Sequence, residues 1–206
     1  MNRLLAPALI TLALAFPAAA ETRNVGGFDS INAADGVHVI VQTGPSAVSV
    51  TGPDAGRVLT ELDGHTLRIR DRNRPWFGTH HLNATVQVSM PRVAALASSR
   101  GADVRATNIN ADALSLAVSM GADMDVSGAC QSLHAAVSMG ASLDADALHC
   151  DNADVSASMG ASASVYAART YNASASMGGD VSVVGAGARG HVATSMGGSV
   201  TQSKAD

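Results

Sequence analysis

The chain has 206 residues, a formal net charge of −4 and only 3% aromatic residues. Proteins that bind nucleic acid use basic surface against the phosphates and aromatic side chains for stacking on bases, so this composition argues against a nucleic-acid partner. The length is sufficient for one domain with a continuous hydrophobic core.

The first twenty residues have the pattern of a secretory signal peptide. A basic start at Arg3 is followed by an apolar run over residues 4–16 and by small residues over 17–20, before Glu21. The apolar run is too short to span a bilayer as a helix. We therefore predict an exported chain that starts near Glu21, lies in the periplasm or at the cell surface, and has no membrane span after signal removal.

Residues 21–98 alternate apolar and polar side chains over short runs that end at glycine or proline. Examples are residues 37–41, which are followed by Gly44 and Pro45, and residues 84–90, which are followed by Pro91. Alternation with a period of two indicates strands with one buried face, and glycine and proline indicate turns. We predict a strand-rich N-terminal part of the domain over residues 21–98.

Four segments of this first half match a known pattern. They are residues 25–31, with the sequence VGGFDSI, and residues 37–44, 63–69 and 86–91. In these segments the chain resembles the auto-transporter adhesin head domain, or GIN domain, family, and the resemblance extends over about residues 25–200. It implies an all-β, solenoid-like fold in the bacterial envelope and an adhesin-like role, with no established activity to carry over. The family's Ser-Gly-Ser-Gly turns are replaced here by Ser-Met-Gly.

The second half is organised by a repeated triplet, Ser-Met-Gly, with Ser-Arg-Gly as a variant first copy. A constant period near 19 residues is typical of a stacked repeat, whereas antiparallel hairpins would not hold equivalent residues at a constant spacing. Residues 99–206 are therefore predicted to form a parallel β-helix, or β-solenoid, with about 19 residues per coil, in one continuous domain with residues 21–98. The repeat glycines lie 18–20 residues apart, at Gly101, Gly121, Gly140, Gly160, Gly178 and Gly197.

The alternation places the repeated methionines on the apolar side of each coil. From Leu114 to Val126 every even-numbered residue is apolar, including Met120. We therefore predict a structural methionine ladder in the core, where flexible side chains fill irregular gaps. A thioether ladder for soft metals such as Cu(I) is the alternative, and it explains less, because the methionines are in phase with the other apolar residues. The predicted core ladder is Met120, Met139, Met159, Met177 and Met196.

The chain has two cysteines, Cys130 and Cys150, which lie nine residues before Met139 and Met159. They therefore occupy equivalent positions in successive coils. Coils stack about 4.8 Å apart, which is within the Cα separation that a disulfide accepts, and export favours oxidation. We predict a Cys130–Cys150 disulfide, and a metal site that includes His149 is the alternative.

One loop carries the aromatic–basic cluster of the chain and its single tryptophan. It joins two predicted strands, so an exposed recognition site is one interpretation. The other is that Trp76 and Phe77 cover one end of the solenoid. Adjacent strand residues point to opposite faces, so the two neighbouring histidines do not predict a metal site. The candidate recognition residues are Arg72, Arg74, Trp76, Phe77, His80 and His81.

The positions two residues after each repeat glycine form an outward row of Asp and Ser. Such a row suits solvated charge better than Ca²⁺, because the nine-residue glycine–aspartate period of calcium-binding β-rolls is absent. Even spacing also gives no reason for one carboxyl to have the raised pKa that a glycosidase needs. The row is Asp103, Asp123, Ser142, Ser162, Asp180 and Ser199.

Together these patterns favour an exported, non-enzymatic envelope or surface protein that acts as an adhesin-like binding or scaffold module. We expect no cofactor and no metal. The expected partners are a cell-envelope polysaccharide or protein, or a second copy bound through the coil ends. The alternatives are a carbohydrate-active β-helix enzyme, which would need paired carboxylates in a cleft, and a metal-binding envelope protein.

Overall fold

The computed structural model describes residues 21–23, 25–73 and 82–204, and the predicted signal peptide lies outside them. Most of the described chain is extended, because apolar and polar side chains alternate along it. A 3-10 turn, Ala55–Arg57, interrupts the strands. The strands are β1 Glu21–Arg23, β2 Ser30–Ala34, β3 His38–Thr43, β4 Ala47–Thr51, β5 Val58–Asp63, β6 Thr66–Asp71, β7 Thr85–Met90, β8 Ala95–Ser99, β9 Asp103–Ser119, β10 Asp123–Ser138, β11 Ser142–Ser158, β12 Ser162–Ser176, β13 Asp180–Val184, β14 Ala188–Ser195 and β15 Ser199–Ser203.

Parallel strands stacked in register form the body of the molecule, a β-solenoid of about 5 turns with roughly 20 residues per turn. Strands β9 to β12 contain 15 to 17 residues each, so each runs through most of one coil. Asp103 of β9 lies beside Asp123 of β10, and Asp123 lies beside Ser142 of β11. Equivalent residues of the sequence repeat are thus direct neighbours, and the predicted parallel all-β solenoid is confirmed.

Two bends recur in the coils. One is the Ser-Met-Gly turn. At the other bend, the register between β9 and β10 shifts between Val126 and Gly128. Gly128 has a φ of +138°. A Cβ at Gly128 would collide with the backbone of Ile109 in the neighbouring coil, so glycine permits the close approach there. We call the strand segments that follow the Ser-Met-Gly turns the first face and the segments that precede them the second face.

The N-terminal part continues the solenoid, with its coils out of sequence order. β2 lies between β6 and β8, and β3 lies between β7 and β9, all in parallel pairs. The coil of β2 and β3 is therefore inserted between the coil of β6 and β7 and the coil that starts at β8. At this end β4 pairs with β7, β1 with β4 and β5 with β6, all antiparallel, so hairpin strands close the stack.

At the other end, the last coil places polar side chains over the core. Arg189 and Gln202 lie in register with the buried residues Tyr171 and Val183. The Tyr171 hydroxyl donates to Oε1 of Gln202 at 3.0 Å, and Arg189 Nε donates to the Tyr171 oxygen at 3.2 Å. The Gln202 amide donates to the Gly187 carbonyl at 2.9 Å. Solenoids need end repeats with a polar outer side, and this coil has that composition. Self-association through the coil ends stays a prediction.

The prediction that the repeated methionines lie in the core is wrong. Four of these side chains are 42–46% exposed, and Met196 is 73% exposed. Each methionine has a φ between +46° and +56°, and the next residue is a glycine whose φ is also positive. Two successive left-handed residues are typical of a type I′ turn, and across the first such turn the Ala122 amide donates to the Ser119 carbonyl at 3.3 Å. Alternation applies only to extended residues, so the turn side chain leaves the core. The corrected residues are Met120, Met139, Met159, Met177 and Met196.

The same turn occurs in two coils on the N-terminal side of the methionine turns, with a charged side chain in place of methionine. Arg100 and Gly101 have φ values of +53° and +71°, and Asp35 and Gly36 have values of +63° and +71°. Arg100 Nε donates to Oδ1 of Asp35, so the two charged turn residues form an ion pair. The stacked turns form one corner of the solenoid, which therefore begins with an ion pair at its N-terminal end and continues with five methionines.

The predicted disulfide between Cys130 and Cys150 is confirmed. The two residues are in register on β10 and β11, and their Cα atoms are 4.4 Å apart. Both sulfurs are therefore bonded to each other and are not thiolate ligands for the alternative metal site with His149. The His149 ring instead packs edge-on against Tyr166, with ring centroids 4.4 Å apart.

Replacing both cysteines with alanine should destabilise the fold. The bridge joins residues with a sequence separation of 20, and in the chain-entropy model a loop of this size is worth about 3 kcal/mol. Urea unfolding of the Cys130→Ala/Cys150→Ala variant measures the loss. The wild-type chain under reducing conditions is the control and should unfold at the same urea concentration as the variant. An unchanged midpoint in both samples would contradict a stabilising bridge.

Truncation of single methionines tests the corrected register. Met124 is 2% exposed in the core, whereas Met139 is 44% exposed at its turn. Met124→Ala should lower the free energy of unfolding by about 2–5 kcal/mol, as buried truncations do. Met139→Ala should lower it by about 1 kcal/mol or less, because it removes fewer buried contacts. Chemical denaturation of both variants in one buffer measures the difference, and equal losses would place the turn methionines back in the core.

Candidate ligand-binding face

The first face carries a shallow, open trough of about 580 Å³. Two outward rows of side chains line it, because in-register stacking places equivalent residues of successive coils beside one another. The first row is the predicted one and is confirmed as a row: Asp103, Asp123, Ser142, Ser162, Asp180 and Ser199. The second row lies two residues further along each strand and consists of Arg105, Asp125, Asp144, Ser164, Ser182 and Thr201.

Charge in the trough is concentrated in the coils nearest the N-terminal end. Among the described residues that line the trough, Arg105 is the only basic one, and its Nε lies 3.2 Å from Oδ2 of Asp125. At the edge of the trough, Nδ1 of His38 lies 3.1 Å from Oδ2 of Asp103. Beyond Asp144 the rows are mostly hydroxyl side chains. The trough thus changes from an acidic end to a hydroxyl-rich end along the solenoid axis.

Two carboxyls of one strand lie together beside the second row. The backbone amide of Asp146 donates to Oδ1 of Asp144 at 3.4 Å. Partial burial raises the pKa of the Asp146 carboxyl, and the charge of Asp144 and a hydrogen bond with it raise that pKa further, with a smaller contribution from Asp125. Asp146 lies next to a register shift between Ala145 and His149. The perturbed carboxyl thus belongs to an irregular part of the strand, outside the evenly spaced row.

A second, smaller depression of about 320 Å³ lies on the second face. Asp154, Asn172, Ser174 and His191 are among its lining residues.

Within residues 21–23, 25–73 and 82–204, no group of three or more His, Cys, Asp or Glu side chains is placed to hold a metal ion.

No helix in the described part of the chain is long and apolar enough to cross a bilayer.

The predicted recognition loop is described only at its start. Arg72 follows β6, is exposed, and its backbone amide donates to the Arg57 carbonyl at 2.8 Å. The recognition role of the loop stays a prediction. The other residues proposed for it lie outside the described residues: Arg74, Trp76, Phe77, His80 and His81.

The structure also shows a surface group that sequence reasoning placed in the core. The five exposed methionines form one corner of the solenoid, and we call them the methionine row. A sequence signal for their exposure exists, because Asp35-Gly36 and Arg100-Gly101 form the same turn and have a charged residue before the glycine. A position that accepts Asp and Arg in some coils is a surface position.

The stacked coils, the rows on the first face and the polar end coil define a repeat protein that presents an extended, rigid surface. Residues 27–187 match the family described as "Putative auto-transporter adhesin, head GIN domain". The chain belongs to this family, as the resemblance predicted. An adhesin-like family and a disulfide are both consistent with an envelope or extracellular protein.

Solved structures share the fold at low sequence identity. A putative adhesin from Bacteroides fragilis NCTC 9343 superposes with a TM-score of 0.70 at 11% identity, covering 92% of this chain and 97% of that chain. A putative lipid binding protein from Parabacteroides distasonis ATCC 8503 has a TM-score of 0.54 at 14% identity, with coverages of 90% and 96%. A putative adhesin from the same strain has a TM-score of 0.50 at 16% identity, covering 91% of this chain and 97% of that chain. No curated protein matches the chain.

Removing the charge of Asp144 should lower the pKa of Asp146. The folded state binds the Asp146 proton more tightly than the unfolded chain does, so this group makes folding less favourable as the pH rises from its unfolded to its folded pKa. Asp144→Asn should remove part of that effect. NMR titration of the Asp146 carboxyl carbon measures the pKa, with Asp180→Asn as the control that should leave it unchanged. An equal or higher Asp146 pKa in Asp144→Asn would contradict the assigned cause.

Proposed function

We propose that the protein is an exported, non-enzymatic, adhesin-like module that binds a polysaccharide of the cell envelope or cell surface along the trough of the first face. The observation that carries the proposal is the pair of hydrogen-bonding rows that repeats from coil to coil. Family membership and the pattern of a signal peptide support export and adhesion.

The side chains of the trough suit a hydroxylated ligand. Serine and threonine hydroxyls both donate and accept hydrogen bonds, and carboxylates accept them, so the two rows complement sugar hydroxyls. Six stacked strands about 4.8 Å apart give rows of about 24 Å. The rows stand on hydrogen-bonded strands, so their positions are set before the ligand arrives and little ordering entropy is lost on binding.

The charge of the trough selects among polysaccharides. The described lining has five aspartates and one arginine, and that arginine is paired with Asp125. A polymer of uronic acids would be repelled by this surface, whereas protonated amino sugars would be attracted. We therefore propose a neutral or amino-sugar polymer as the ligand. A lipid acyl chain is a weaker match, because eleven of the sixteen described lining residues are Asp, Ser or Thr.

One observation bears on the enzyme alternative. The raised pKa of Asp146 beside Asp144 is the kind of asymmetry that glycoside hydrolases use for their acid and their base or nucleophile. Asp146 is only slightly buried, however, and strongly desolvated sites are where such shifts become large enough for acid catalysis. We therefore propose binding as the function, and the test below also measures hydrolysis.

The test uses the exported chain, residues 21–206, and three fluorescently labelled polymers: chitosan, a neutral glucan and polygalacturonate. We expect the affinity to decrease in that order and the chitosan affinity to fall with added salt. The variant Asp123→Asn/Asp125→Asn/Asp144→Asn should bind chitosan at least about tenfold more weakly, because it removes three of the carboxylates in the trough. Fluorescence anisotropy measures each dissociation constant.

A charge-matched variant is the control. Asp63→Asn/Asp112→Asn/Asp154→Asn removes three carboxylates that do not line the trough, and it should bind as the wild type does. Equal weakening by both triple variants would indicate attraction by net charge alone and would contradict a trough site. Release of reducing ends from any polymer would favour the enzyme alternative, and absence of binding to all three polymers would contradict the proposed ligand class.

A further inference from the structure

The methionine row breaks a local rule of turn formation five times. Left-handed backbone at the first central position of a type I′ turn favours Gly, Asn or Asp, whereas a bulky L residue is strained there. Met120, Met139, Met159, Met177 and Met196 all adopt this conformation. Positions where a sequence repeatedly opposes its local preference are expected to be functional.

Neither packing nor turn chemistry explains the choice of methionine. The side chains are exposed by 42% or more, so they do not fill the core. Aspartate and arginine form the same turn in the two coils below, so the fold does not require methionine there. What the five residues share is a flexible, exposed thioether, and its sulfur is a soft donor.

The backbone holds these thioethers in a row of constant spacing. The carbonyl of each methionine accepts a hydrogen bond from the repeat glycine of the preceding coil, as from Gly121 to Met139 and from Gly140 to Met159, both at 3.1 Å. The serines before the methionines are in register from strand to strand, for example Ser138 and Ser158. Successive turns are therefore hydrogen-bonded to one another, as successive strands are.

The spacing suits a metal ion between neighbouring coils. Two sulfurs on opposite sides of a metal lie about 4.6 Å apart if each metal–sulfur bond is about 2.3 Å, as for zinc. Stacked coils are about 4.8 Å apart, and the three side-chain torsions of methionine absorb the small difference. Both described cysteines are in the disulfide, so no thiolate among the described residues competes for a soft cation.

We propose that the methionine row is a binding site for soft monovalent cations, Cu(I) and Ag(I), with each ion held by thioethers of two or three adjacent coils. The site lies at the turn corner and not in the trough, so this proposal stands independently of the polysaccharide ligand. The ion pair of Arg100 and Asp35 occupies the next two positions of the corner, so the row of sulfur donors ends at Met120.

The test titrates silver nitrate, in chloride-free buffer, into residues 21–206 labelled with ¹³C at the methionine methyl groups. Silver needs no reductant, so the disulfide stays intact. The exported chain has seven methionines, of which Met90 and Met124 are 0% and 2% exposed. We expect the methyl signals of the five row residues to shift and those of Met90 and Met124 to stay, which gives an internal control. No shift of the five methyl signals, or shifts confined to the histidine ring protons in proton spectra of the same samples, would overturn the proposal.

A variant separates sulfur chemistry from hydrophobic contact. Replacing all five row residues with leucine removes the sulfur and keeps an apolar side chain of similar volume. We expect this variant to keep the wild-type circular dichroism spectrum and to lose silver binding measured by calorimetry, whereas Met124→Leu should bind as the wild type does. If the fivefold variant does not fold, Met139→Leu alone should still weaken binding severalfold. Undiminished binding by the folded leucine variants would show that the thioethers are not the ligands.

Discussion

In-register parallel pairing between coils is the interaction on which the rest of the structure depends. It runs along most of β9 to β12 and continues through the turns, where the amides of the repeat glycines from Gly101 to Gly178 donate to the methionine carbonyl of the following turn. Any residue type that recurs with the period of the coil therefore becomes a straight row. The disulfide, the trough and the methionine row all result from this one constraint.

The features that depend only on spacing could be predicted from the sequence. A constant interval between glycines predicts a coil, and an equal offset of Cys130 and Cys150 from their turns predicts neighbouring positions. The direction of the Met120 side chain could not be predicted in the same way. Met120 is apolar and in phase with the alternation on both sides, which predicts a buried side chain. The backbone at Met120 and Gly121 is left-handed, however, and alternation predicts side-chain direction only for extended residues. The polar residues Asp35 and Arg100 at the equivalent position were the available signal.

Long-range pairing sets the limit of what the first half of the sequence reveals. Its strands were predicted from alternation, yet nothing local indicates that β2 lies between β6 and β8, because that order depends on contacts between distant segments. The same reason applies to the trough. Its first row follows from the repeat, whereas the register shift after Ala145, beside which Asp146 lies, depends on the pairing of β11 with β12. Regular positions are thus predictable, and irregular ones require the structure.

In a rigid row each coil contributes one set of side chains, which we call a rung. This arrangement determines how the binding energy of the proposed ligand is distributed. In an enclosed pocket one residue can dominate the affinity, but in a row each coil contributes a similar contact to a ligand that repeats along it. Loss of one rung then removes a fraction of the affinity, whereas a change that breaks coil stacking displaces every rung beyond it. The two ends fit this arrangement, because hairpin strands at one end and the layer of Arg189, Tyr171 and Gln202 at the other hold the terminal rungs in register. For the linear ligand proposed above, the length of usable surface is therefore set by how many coils these end structures keep stacked.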